Sequence, residues 1–94
     1  MKDLRETVEY MTSADYKERF KAEYWQTKIR YEKLKALNTR IEAANACAPN
    51  FGMSFEVPIY DCPDCVLRDQ QRVMGDYLHM LEMRALIEGI DIDE

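Results

Sequence analysis

Ninety-four residues, 47% of them hydrophobic and 33% charged, suit one small folded domain and exclude a disordered chain. Only three Gly and three Pro are present, which argues against an all-β fold and for long helices. A net charge of −5 argues against general binding to duplex DNA or RNA, where neutralising phosphates dominates affinity.

The charge is unevenly spread. From Ser13 to Ala46 the chain carries eight Lys or Arg and five Asp or Glu, a local charge of +3, and the remainder carries −8. A small anionic ligand on the middle segment is therefore compatible with an acidic chain. No run of about 18 apolar residues exists, so no membrane-spanning helix is expected. The opening MKDLRETVEYM is charged throughout and unlike a signal peptide, which makes the cytoplasm the expected location. Three cysteines in such a chain do not suggest a disulfide framework.

Residues 2–11 place Leu4, Val8 and Met11 at i, i+4 and i+7, the pattern of a short amphipathic helix that must dock on something. Thr12-Ser13-Ala14-Asp15 is a helix start. A Thr or Ser oxygen can accept from the first free backbone N–H groups, and Asp15 suits the positive helix end. A break or kink is expected here, followed by a helix over about residues 13–46. Tyr16, Phe20, Tyr24, Thr27, Tyr31, Leu34 and Ile41 form its apolar stripe, with Asn38 interrupting and Trp25, Ile29 and Leu37 widening it. At 1.5 Å per residue this helix would run roughly 45–50 Å.

Residues 47–62 hold two of the three prolines and read as a compact loop, with Phe55, Val57 and Ile59 in a short extended stretch. Asp61-Cys62-Pro63-Asp64 is a second helix start, with Asp61 or Cys62 as cap and Pro63 in the first turn. Leu67, Gln70 or Gln71, Met74, Leu78, Leu81 and Ala85 then follow helical spacing over about residues 63–89, flanked by Val66, Val73 and Tyr77. Gly89 ends that helix and leaves an acidic tail, IDIDE. The plan is one all-α domain spanning residues 1–94: a short N-terminal helix, then two long antiparallel helices. A core this thin favours a homo-oligomer.

Cys62-Pro63-Asp64-Cys65 invites a metal or redox reading. The other available ligands are Cys47 and the single histidine, His79, which lies roughly 20 Å up a continuous helix from Cys65. A capped helix start with two small apolar residues is the simpler account, so no metal is expected at Cys62 and Cys65. No cofactor and no catalytic group are expected either. His79 has no local nucleophile motif beside it, Glu82 and Glu88 read as a solvated helix face, and no Gly-rich phosphate loop exists.

The middle helix interleaves five aromatics with Lys17, Arg19, Lys21, Lys28, Arg30, Lys33, Lys35 and Arg40. Aromatic faces stack on bases and cations neutralise phosphates. The same pattern serves a helical core whose basic residues pair with Glu18, Glu23 and Glu32, and periodicity alone favours that account.

Two segments, YKERFKAEYWQTKIRYEKLKAL (16–37) and LRDQQRVMGDYLHMLEMR (67–84), resemble a group of small phage and prophage proteins that includes the anti-CBASS sponges of cyclic oligonucleotide immune signals. The resemblance covers 40 of the 94 residues and rests on helical patterns. It implies a homo-oligomer, a hexamer in the characterised sponges, with ligand bound between protomers. A tyrosine and the lysine of a Lys-Leu pair serve cyclic dinucleotides there. Lys33-Leu34 matches that pair, and Tyr16 is the nearest tyrosine. Arg84 is the candidate for the Arg of a separate cyclic-trinucleotide site. Two departures weigh against that second site: the loop at 47–62 is longer than in compact members, and Lys35 stands where a small hydroxyl residue follows Lys-Leu.

The ligand-binding candidates are thus Tyr16, Phe20, Lys33 and Arg84. The expected function is a phage sponge in the infected bacterial host, sequestering a cyclic di- or trinucleotide without hydrolysing it. Duplex nucleic acid and membrane are not expected partners. The alternative is a helical oligomer that docks on a protein through Phe51, Phe55 and Tyr60.

Overall fold

A computed structural model describes residues 1–47 and 59–93, all of whose regular elements are helical. A one-turn 3-10 helix at Leu4–Thr7 runs into α1 (Val8–Met11), followed by α2 (Tyr16–Cys47) and α3 (Asp64–Glu88). The all-α plan of a short N-terminal helical segment and two long helices is therefore realised. Of the expected extended stretch only Ile59 is described, exposed and outside any regular element; Phe55 and Val57, and the loop apolar Phe51, lie outside the described residues.

The N-terminal segment starts where Asp3 accepts from the N–H of Arg5 at 3.0 Å. Its first turn is wound with three residues per turn, which moves the inward face away from the Leu4–Val8–Met11 stripe. Val8 and Met11 are about half exposed, and Met1 and Thr7 are buried instead. Gln26 on α2 fixes this arrangement, its Nε2 donating to Thr7 Oγ1 at 3.0 Å.

Asp15 caps α2. Its Oδ1 accepts from the N–H of Lys17 at 3.0 Å, and Ser13 Oγ accepts from the N–H of Asp15 at 3.1 Å. The carboxylate, rather than a Thr or Ser oxygen, meets the helix N–H, so the helix opens at Tyr16 and not at residue 13. Along its 32 residues α2 has two inward faces. Phe20, Tyr24, Asn38 and Ile41 are buried on the face that carries the expected stripe. Ala22, Gln26 and Ile29 form a second face at helical spacing. Gln26 touches the N-terminal segment, which places buried Ala22 and Ile29 beneath that segment rather than at the rim of the first stripe.

α3 begins one residue later than the sequence suggests. Pro63, not Asp61 or Cys62, holds the cap position, with φ −55° and ψ 139°. The pyrrolidine ring already imposes such a φ, and the Pro63 carbonyl accepts from Val66 and Leu67. Asp64 then pairs with Arg68 at 3.3 Å. Leu78, Leu81 and Ala85 join Phe20, Tyr24 and Ile90 in one buried cluster.

The C-terminus of α3 is closed by Gly89 in the left-handed region (φ 67°, ψ 37°). The N–H of Ile90 reaches back to the Ala85 carbonyl at 2.9 Å, and both side chains are in the core. The tail is therefore not free. Trp25 Nε1 donates to the Ile92 carbonyl at 2.8 Å and meets Tyr24 edge-on.

The molecule measures 55 × 25 × 22 Å with a Cα radius of gyration of 16.9 Å. A compact domain of this length would have a radius near 12 Å. Among the described residues, one side of α3 is left largely exposed. Val73, Tyr77, Met80 and Ile87 share its uncovered side, Ile87 at 79% exposure.

Candidate functional site: an aromatic and arginine corner

Three of the four candidate residues meet where the start of α2 passes the end of α3. Tyr16 and Phe20 stand one turn apart on α2, a direct result of their i, i+4 spacing. From α3, the Arg84 guanidinium lies over the Phe20 ring, 4.9 Å from its centroid. A cation above an aromatic face is attracted by the ring quadrupole, and both groups are kept in a fixed relation.

Glu88 ties this corner together. Arg84 Nε donates to one of its oxygens at 2.9 Å and Tyr16 OH donates to the other at 3.2 Å. The carboxylate that sequence reasoning assigned to a solvated face is half-buried and bridges both helices. The i, i+4 step from Arg84 to Glu88 was the available signal. Its link to Tyr16, 72 residues away, was not.

The titration of these groups follows from the geometry. The Glu88 hydrogen bond holds the Arg84 proton more tightly than usual, with burial opposing and Glu23 adding to it. Partial burial, then the Glu88 carboxylate, push the Tyr16 hydroxyl above its ordinary 10.0. Burial and Glu23 do the same for Tyr77, which adds Tyr77 and Glu23 to the edge of the corner. Arg84 is thus charged but already paired. An incoming anion must compete with Glu88, whose pairing is exposed enough to exchange.

Lys33 is elsewhere. It is exposed on α2, and the 17-residue step from Tyr16 is about 25 Å along the axis. The four candidates do not converge in one chain. The cysteines do not gather either: Cys47 and Cys62 are half-buried and free, Cys65 is exposed and free, and His79 is exposed on α3. Among the described residues no three His, Cys, Asp or Glu side chains are arranged to hold a metal ion. No helix among them is long and apolar enough to cross a membrane. A cleft of about 410 Å³ lies away from this corner, against Tyr31 and Gly75.

No curated protein and no solved structure matches the chain. A family model does, over residues 14–87, and its description is Sequestin. That span runs through α2 and all but the last residue of α3, the two helices that build the corner. By that match the chain belongs to the Sequestin family.

Proposed function

We propose that the protein is a non-enzymatic sponge that binds a cyclic oligonucleotide immune signal, a cyclic dinucleotide first, and withholds it from its receptor in an infected bacterial cell. The observation that carries this reading is the Arg84–Phe20 stack beside Tyr16. A nucleobase can lie against the exposed Tyr16 ring while a phosphodiester takes the guanidinium, which Phe20 backs, in place of Glu88. The family name fits a sequestering role, and the resemblance of residues 16–37 and 67–84 to the sponges supplies the ligand class.

The separation of Lys33 from Tyr16 has a consequence. A cyclic dinucleotide is far shorter than about 25 Å, so both side chains can touch one ligand only if they come from different protomers. The uncovered side of α3 gives such protomers an apolar surface to share, and a homo-oligomer is part of the proposal. Capture without cleavage is part of the proposal, and it rests on the resemblance to the sponges.

Calorimetry with a panel of cyclic di- and trinucleotides tests the reading. The expected result is stoichiometric heat with at least one member, reduced about tenfold or more in affinity by Lys33→Ala and by Arg84→Ala, and recovery of intact ligand after denaturation. Absence of heat with every member sinks it. The alternative, docking on a protein through an apolar surface, is favoured by the exposed Val73, Tyr77, Met80 and Ile87. A chain that changes mass in light scattering only with a protein partner would select it.

A further inference from the structure

Gly75 stands in the middle of α3 with no backbone reason to be glycine. It does not lie in the left-handed region, where only Gly89 is found among the described residues. A Cβ built on it would meet the Tyr31 ring at 3.4 Å and its hydroxyl at 3.6 Å, which is ordinary contact rather than overlap. Alanine would therefore fit, and a helix interior favours alanine over glycine. What the missing methyl leaves open is the floor of a cleft of about 410 Å³ between α2 and α3. That size is within the range of small-molecule sites.

The lining of this cleft carries two cations, Arg68 and Arg72, and two carboxylates, Glu42 and Asp76. Arg68 and Arg72 stand one turn apart on α3 and, among the described residues, are partnered along their own helix, with Asp64 at 3.3 Å and Asp76 at 3.9 Å. Exposed pairs of this kind exchange readily for a better anion. Gln71 lies between them. Its Oε1 accepts from Asn38 Nδ2 at 2.8 Å, which fixes the amide and leaves its Nε2 hydrogens unused among the described residues. Tyr31 supplies an aromatic wall at the far side of Gly75. Glu42 supplies a carboxylate acceptor across the cleft on α2.

We infer that this cleft is a second ligand site, separate from the Tyr16–Arg84 corner, that takes one nucleoside monophosphate unit. The phosphate meets the forked donors of Arg68 and Arg72. The base lies against Tyr31, and the ribose spans the turn between the ring and the arginines. An aromatic wall beside two cations suits such a ligand better than inorganic phosphate, which has no use for the ring. The inference does not depend on the sponge reading, because it uses none of that site's residues.

The glycines make the two sites separately readable. Gly75 lies on the floor of the cleft, and Gly89 adjoins Glu88 in the corner. The full-length protein, labelled with nitrogen-15, is titrated with adenosine 5′-monophosphate, adenosine and inorganic phosphate. The expected result is a saturable shift of the Gly75 amide with the monophosphate at millimolar concentration, and weaker binding of either half alone. Arg68→Ala combined with Arg72→Ala lowers that affinity by about tenfold with helix content unchanged. Gly75→Ala raises the melting temperature and weakens binding together. A Gly75 amide that stays still, a shift of Gly89 alone, or an arginine double variant that binds as the parent does overturns the second site. Heat from a cyclic dinucleotide with Gly75 unmoved overturns it too, while leaving the sponge reading intact.

Discussion

Asn38 shows how one polar residue is used in a thin core. It is 3% exposed, and its Nδ2 donates to the Leu67 carbonyl at 3.1 Å and to Gln71 Oε1 at 2.8 Å. Its Oδ1 has no partner among the described residues. These bonds cross from α2 to α3, so sliding either helix by one turn would leave more than one buried polar group unmet. Asn38→Ala is expected to cost about 1–3 kcal/mol in denaturant unfolding, because Gln71 is then left without its donor. Replacing both partners, Asn38→Leu with Gln71→Leu, is expected to fall within about 1 kcal/mol of the parent.

Three tyrosines set a second residue-scale expectation. Burial raises Tyr24, and burial together with Glu88 or Glu23 raises Tyr16 and Tyr77, all above the ordinary 10.0. A raised folded-state value means the folded chain holds the phenolic proton more tightly than the unfolded one. The stability this confers is complete below the ordinary value and is lost as pH climbs through the raised values. Melting temperature should therefore fall across the alkaline range above about pH 10, and Tyr24→Phe should make the fall shallower. An equal slope in the variant would count against the burial account.

At the scale of elements, the terminal segments are held by specific contacts. Gly89 turns the chain through the left-handed region and returns Ile90 to the core beside Ala85. Gly89→Ala should cost about 1–2 kcal/mol, the strain of a Cβ in that conformation. Because Trp25 donates to Ile92, the variant should also expose the indole, seen as a red shift of its fluorescence. The N-terminal segment is held in a comparable way, with Gln26 bonded to Thr7 and Lys21 set 5.5 Å from the centre of the Tyr10 ring.

At the scale of the whole molecule, the long dimension of 55 Å rests on a single helical hairpin with a short segment laid on one side. In the homo-oligomer proposed above, a second copy would cover Met80 and Ile87, which are 57% and 79% exposed. Each such side chain would gain about 1.5–3 kcal/mol on full burial. Light scattering should give a mass that is a multiple of the chain, and Met80→Lys or Ile87→Lys should shift it toward the monomer. A monomeric parent at micromolar concentration would remove the oligomer from the proposed function and with it the joint use of Tyr16 and Lys33.

The sequence by itself determined the helices. Apolar residues at i, i+3 and i+4, scarce breakers, Asp15 at one start and Gly89 at one end are local signals, and local hydrogen bonding obeys them. It also determined that Tyr16 and Phe20 share a face, since that needs only the helical repeat. Tertiary structure decided which stripe is inward where two compete. Met1 and Thr7 are buried in place of Val8 and Met11, because a tight first turn rotates the segment and Gln26 captures Thr7. It alone decided that Arg84 stands on Phe20 and that Glu88 bridges to Tyr16. Those relations depend on how two helices are registered against each other, and a helical repeat carries no record of what stands opposite it.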